Sequence, residues 1–140
     1  MRFLACVLLG FTLARWAPAP PTAIHAAASE CGPNGTDRVR TTLYFGLSRP
    51  TGTVPDSEWR SFLHNQVTPR FPQGLTVWEA DGQWQRSDGA IDTERAKVLL
   101  LVHDGKPKAR ADLTEIVGLY KRQFQQESVL WESARICAAF

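Results

Sequence analysis

Histidine is scarce in this sequence, with three in 140 residues, and none sits in an HxH or HExxH spacing. The three cysteines form no CxxC pair, so a dedicated metal centre is not expected. A phosphate-cradling GxxxxGKS/T loop and a GxSxG nucleophile turn are also missing, and no cofactor is expected. Charge of one sign is lacking too. The formal net charge is +2, and both Arg2 and Arg15 lie ahead of residue 29. Without those two, 14 basic side chains balance 14 acidic ones. A neutral chain has no electrostatic footprint for a phosphate backbone, which sets nucleic-acid binding aside.

Long apolar runs are absent as well. The N-terminal run, residues 3–14, follows Arg2 and is broken only by Gly10 and Thr12. About twelve residues is the length of a signal-peptide core, whereas a membrane span needs roughly twenty. Ala26-Ala27-Ala28 offers the small-residue spacing that signal peptidase cuts, before Ser29. Arg15, Trp16 and the prolines at 18, 20 and 21 lengthen the stretch between core and cut; an uncleaved anchor or a start codon placed too early is the alternative. A lipoprotein is excluded because Glu30, not a small residue, precedes Cys31. The expectation is a signal peptide over residues 1–28, one mature domain over 29–140, no stable span after processing, and a periplasmic or extracellular location. Cys6 then leaves, and Cys31 and Cys137 remain near the two ends of an exported domain, where disulfides persist.

With 44% apolar and 21% charged residues, the composition is that of a globular chain. Leu43, Phe45 and Leu47 alternate with Thr42, Tyr44 and Gly46, which marks a first strand from about Arg40 to Ser48. Trp59, Phe62, Leu63 and Val67 share one face of a helix that opens on Asp56, Ser57 and Glu58 and ends at Pro69. A second strand covers Leu75 to about Ala80, Asp81-Gly82 reads as a bulge or turn, and Gln83 to Gln85 resumes extended character. Ser87-Asp88-Gly89 marks a turn. The third strand starts near Ile91 and ends in the apolar block 98–102. A polar loop follows from Asp104 to Ala111. Asp112 and Glu115 then have capping-box spacing ahead of a helix that buries Leu113, Ile116, Val117, Tyr120 and Phe124. A last strand runs from Ser128 to about Cys137.

The order strand, helix, strand, strand, helix, strand, with right-handed crossovers, predicts an α+β ferredoxin-like βαββαβ sandwich. Its sheet order of 4-1-3-2 puts strands 1 and 3 at the centre and two helices on one face. The end of strand 4 then lies near the start of strand 1, which brings Cys137 towards Cys31 and predicts a disulfide between them.

Five blocks resemble a known family in the right order. They are Leu43 to Pro50; Val67 to Pro72 with Gly74 to Val77; Gly82-Gln83-Trp84; Lys97 to His103; and Tyr120-Lys121 with Phe124 and Gln126 to Leu130. The chain resembles, over about residues 31–140, small exported bacterial proteins catalogued only as a domain of unknown function. The resemblance brings no chemistry with it.

Chain direction gathers Ser48, Arg49, Trp84, Glu94, Arg95, Gln126, Glu127 and Ser128 towards one end of the sheet. Two readings fit. Arg49 holds a carboxylate or phosphate, with Ser48 or Ser128 hydrogen-bonding to it and Trp84 as an exposed platform; or Arg49 pairs with Glu127 and the hydroxyls cap loops. His103 and Asp104 are neighbours in an extended chain and face opposite ways, which argues against a catalytic pair. The leading function is a non-catalytic domain that binds a small molecule or partner through the sheet. The alternative is a small enzyme of the dimeric α/β-barrel kind, a homodimer through the sheet enclosing a pocket near Arg49 and Glu127.

Overall fold

A computed structural model describes residues 31–85 and 88–139. The expected signal peptide and Ser87 of the expected turn lie outside the described residues. Four strands form one antiparallel sheet: β1 (Thr36–Gly46), β2 (Thr76–Gln85), β3 (Ile91–His103) and β4 (Leu130–Ala138), in the order β2-β3-β1-β4. This is the order 4-1-3-2 of the ferredoxin-like sandwich. Both long helices, α1 (Asp56–Phe62) and α2 (Pro107–Phe124), pack on one face.

The alternation of β1 decides which face they cover. Leu43, Phe45 and Leu47 join Leu99 and Leu101 of β3 in the core, together with Trp59 and Phe62 of α1 and Leu113, Ile116, Tyr120 and Phe124 of α2. Phe45 is the hub of an aromatic cluster, with ring centroids 5.2 Å from Trp59 and 4.6 Å from Tyr120. After Phe62 the helix widens into one π turn, Leu63–Val67, where the Thr68 N–H donates to the Leu63 carbonyl. The wider turn keeps Phe62 and Val67, five residues apart, both buried.

Several boundaries differ from the sequence reading. β1 begins at Thr36 instead of Arg40, because its early residues pair with β4 as far as Ala138. Asp81 and Gly82 form neither bulge nor turn: they pair directly with Arg95 and Glu94 in an unbroken register. α2 begins five residues ahead of Asp112. Pro107 sits in its first turn, where a proline's missing N–H and fixed φ cost nothing, and Lys106 is its N-cap without a side-chain hydrogen bond. Asp112 is therefore no cap; its carboxylate pairs with Lys108 one turn earlier. Gln125 closes the helix in the left-handed conformation at φ 56°. Cys31 and Cys137 have their sulfur atoms at bonding distance, with Cα atoms 5.3 Å apart.

Candidate functional site

The chain leaves β1 through a small ribbon in which Ser48 and Arg49 pair with Thr53 and Gly52. Gly52 turns the chain at φ +115°, a value few side chains tolerate. The ribbon lays Arg49 against the first turn of α1, and its guanidinium grips Glu58 in two parallel hydrogen bonds of 2.8 and 3.1 Å. The partner of Arg49 is thus Glu58, not Glu127, which is exposed on the segment after α2. The Glu58 hydrogen bond raises the Arg49 pKa. The Nε of Arg49 is buried without a hydrogen-bond partner.

The same corner draws in Glu94 and Gln126. Glu94 accepts the Ser48 N–H at 3.3 Å, and the Gln126 side chain donates to the Ser48 carbonyl. Both press so closely on Gly46 that a Cβ there would lie 2.7 Å from Glu94 Oε1 and 2.9 Å from Gln126 Oε1. Tyr120 donates its hydroxyl to the Gly46 carbonyl at 2.8 Å, and burial, then Glu94, pushes its pKa well up. Ser48, Arg49, Glu94 and Gln126 therefore do meet. Trp84 does not join them, since it stands on β2 with β3 between it and β1. Ser128 is exposed, and Arg95 is engaged with Glu79. The hydrogen bonds of this corner run within the fold, which makes it a brace between ribbon, sheet and α1.

Two groups have roles that the sequence did not foretell. Lys97 opens the apolar block of β3, yet its side chain is 8% exposed and bonded to Asp56 of α1, at 2.8 Å, and to Glu79 of β2. Burial works to lower its pKa, and the two carboxylates outweigh that and raise it. His103 is the other. The Gly105 N–H donates to its Nδ1 at 3.1 Å, which leaves the proton on Nε2 to be donated to Thr41 Oγ1 at 3.0 Å. Thr41 passes the chain on to Ser133 at 2.7 Å, and Trp131 Nε1 donates to Ser133 Oγ at 2.9 Å. Asp104 turns away to Lys106. Only their far-apart partners, on four elements, reveal these roles.

Burial lowers the His103 pKa from its ordinary value of 6.5, against a smaller opposing pull from Asp104. A histidine whose folded pKa is depressed contributes its full stability above the unfolded value and loses it as pH falls through the folded one. The thermal midpoint should therefore begin to fall below about pH 6.5, ahead of the range where carboxylates protonate. In His103→Asn, which hydrogen-bonds but does not titrate, that early limb should vanish; a limb of equal size in the variant would exclude His103 as its source.

The clefts lie at the other end of the sheet. One, of about 310 Å³, opens between Arg70, Phe71, His103, Lys106 and Ala109. The second, of about 550 Å³, crosses the face that the helices leave uncovered. It is lined by Leu100 and Val102 of β3, Arg38 of β1 and residues 73–76 leading into β2, and Gln73 and Gly74 line both clefts. Among the described residues there is no cluster of three metal-ligating side chains, and no helix is long and apolar enough to cross a membrane.

The architecture is shared with solved structures. A phage SAM lyase in complex with S-methyl-5'-thioadenosine superposes with a TM-score of 0.54 at 13% identity, covering 81% of this chain and 95% of its own. CutA from Synechococcus elongatus gives a TM-score of 0.50 at 10% identity, covering 74% and 80%. At such identities the likeness is one of fold. These are ferredoxin-like α+β domains. The chain belongs to the family described as "Protein of unknown function (DUF3574)", whose model matches residues 40–140. No curated protein sequence matches it.

Proposed function

We propose that this is an exported, non-catalytic binding domain whose working surface is the open face of the sheet, with the groove at its Arg38 end as the seat for a small, flat, largely apolar ligand. The groove carries the reading: about 550 Å³, with Leu100 and Val102 as its open-face apolar lining and Arg38 and Thr76 supplying polar contacts. A non-catalytic role is supported by the titratable groups, which are spent inside the fold: Arg49 on Glu58, Lys97 on Asp56 and Glu79, and His103 on Thr41 and Gly105. Export is supported by the apolar segment at residues 3–14, the Ala26-x-Ala28 site and the juxtaposed cysteines.

The test is titration with anilinonaphthalene sulfonate, an aromatic dye that brightens in apolar sites. The wild-type protein should bind it with saturable, near-stoichiometric emission. Leu100→Glu, which sets a charge in the groove floor, should weaken that at least tenfold. Emission that never saturates, or that Leu100→Glu leaves unchanged, would refute the reading.

A further inference from the structure

The uncovered face has an internal symmetry that specifies a partner, on the reading that this face is the binding surface. One rung runs across all four strands in the order Trp78, Val98, Tyr44, Leu130. Trp78 is 43% and Leu130 63% exposed, although Val98 between them is 1% exposed. The adjacent rung is small throughout: Ala80, Ala96 and Gly46. Charge is placed about the same level. Glu94 and Asp92 stand four and six residues before Val98 on β3. Arg40 is in register with Val102, four residues past Val98, and Arg38 lies two residues further out. Alternation along the unbroken strands puts all four on the open face, where Glu132 of β4, level with Thr42, accepts a hydrogen bond from Tyr44 and leaves the arginine end with a net positive charge.

We infer that a second copy of this chain packs face to face on this surface, about a two-fold axis parallel to the sheet, perpendicular to its strands and level with Val98. That operation reverses strand direction, so the acidic end of each copy lies over the basic end of the other. An axis along the strands would set like charges together. The same operation places Ala80, Gly82 and Ala96 of one copy over the Leu100–Val102 groove of the other. Aligned sheets pack about 10 Å apart. Side chains that small roof the groove without filling it, and each dimer then encloses two such pockets. The face measures roughly 500–600 Å² per copy from strand spacing and rise. Two copies therefore cover about 1,000 Å² or more, the lower bound for a specific interface. A self-complementary patch is what a closed two-fold dimer requires.

Sedimentation velocity on the oxidised protein tests this, with thermal midpoints confirming that each variant folds. The wild-type chain should sediment as a dimer at micromolar concentration. Leu130→Lys, on an exposed edge position, and Trp78→Lys should each weaken association at least tenfold. Arg40→Glu should weaken it several-fold, whereas Glu115→Lys on the outer surface of α2 should leave it unchanged. A monomer at high concentration, or a dimer indifferent to Leu130→Lys, overturns the inference. The dye separates this from the underlying reading. Saturable binding lost in Leu100→Glu by a protein that stays monomeric keeps the open face and removes the second copy; dye binding indifferent to Leu100→Glu removes the face itself.

Discussion

Replacing Cys31 and Cys137 by serine is expected to lower the stability of the domain by about 4–5 kcal/mol. The two residues are 106 positions apart. Closing so long a loop removes entropy from the unfolded chain, and the cost of that restriction grows with the logarithm of its length. Total stabilities of small domains run to roughly 5–15 kcal/mol, so the serine variant should be close to unfolding at growth temperature. Urea unfolding of the two proteins measures the difference, and an unchanged midpoint would mean that the cysteines are not joined. Intact mass of secreted protein gives an independent check. The chain should begin at Ser29 and weigh two hydrogens less than its reduced form.

Phe45→Ala should cost about 3–5 kcal/mol. Phe45 is fully buried at the centre of the sheet and touches rings from both helices, Trp59 and Phe62 of α1 and Tyr120 of α2. Its removal leaves a cavity among aromatic side chains that cannot collapse into it without losing one another's edges, so transfer and cavity terms add. Phe45→Leu should recover part of the loss by restoring volume. A shift in urea midpoint no larger than that of a surface substitution would show that the cluster does not set stability.

The regular parts of this architecture were legible because they are local. Alternation through Leu43, Phe45 and Leu47 names the helix-facing side of β1, and the 98–102 block is central because β1 pairs along one of its edges and β2 along the other, with Leu99 and Leu101 in the core beneath the helices. The start of α2 was misplaced: the stretch expected as a polar loop up to Ala111 is helical from Pro107 on, and Asp112 falls inside the helix as a partner of Lys108. The site was harder because its pairings are not local in sequence. Arg49 was correctly placed at the end of β1, yet its partner depends on a two-residue ribbon folding back over α1, which brings Glu58 nearer than Glu127. Lys97 looks like the edge of an apolar run until Asp56 and Glu79 arrive from two other elements. The groove has no sequence signature at all, since its lining comes from three separate segments, at Arg38, at residues 73–76 and at Leu100 with Val102, joined only by register.

The most direct test of the open-face account is a map of where a ligand lands. Backbone amide shifts of isotope-labelled protein, followed by NMR during titration with anilinonaphthalene sulfonate, report this residue by residue. The account predicts that the largest shifts fall on Arg38, Gln73, Thr76, Leu100 and Val102, around the groove. Shifts concentrated instead on Ser48, Arg49, Glu94 and Gln126 would contradict it and return the binding site to the end of the sheet where Arg49 grips Glu58.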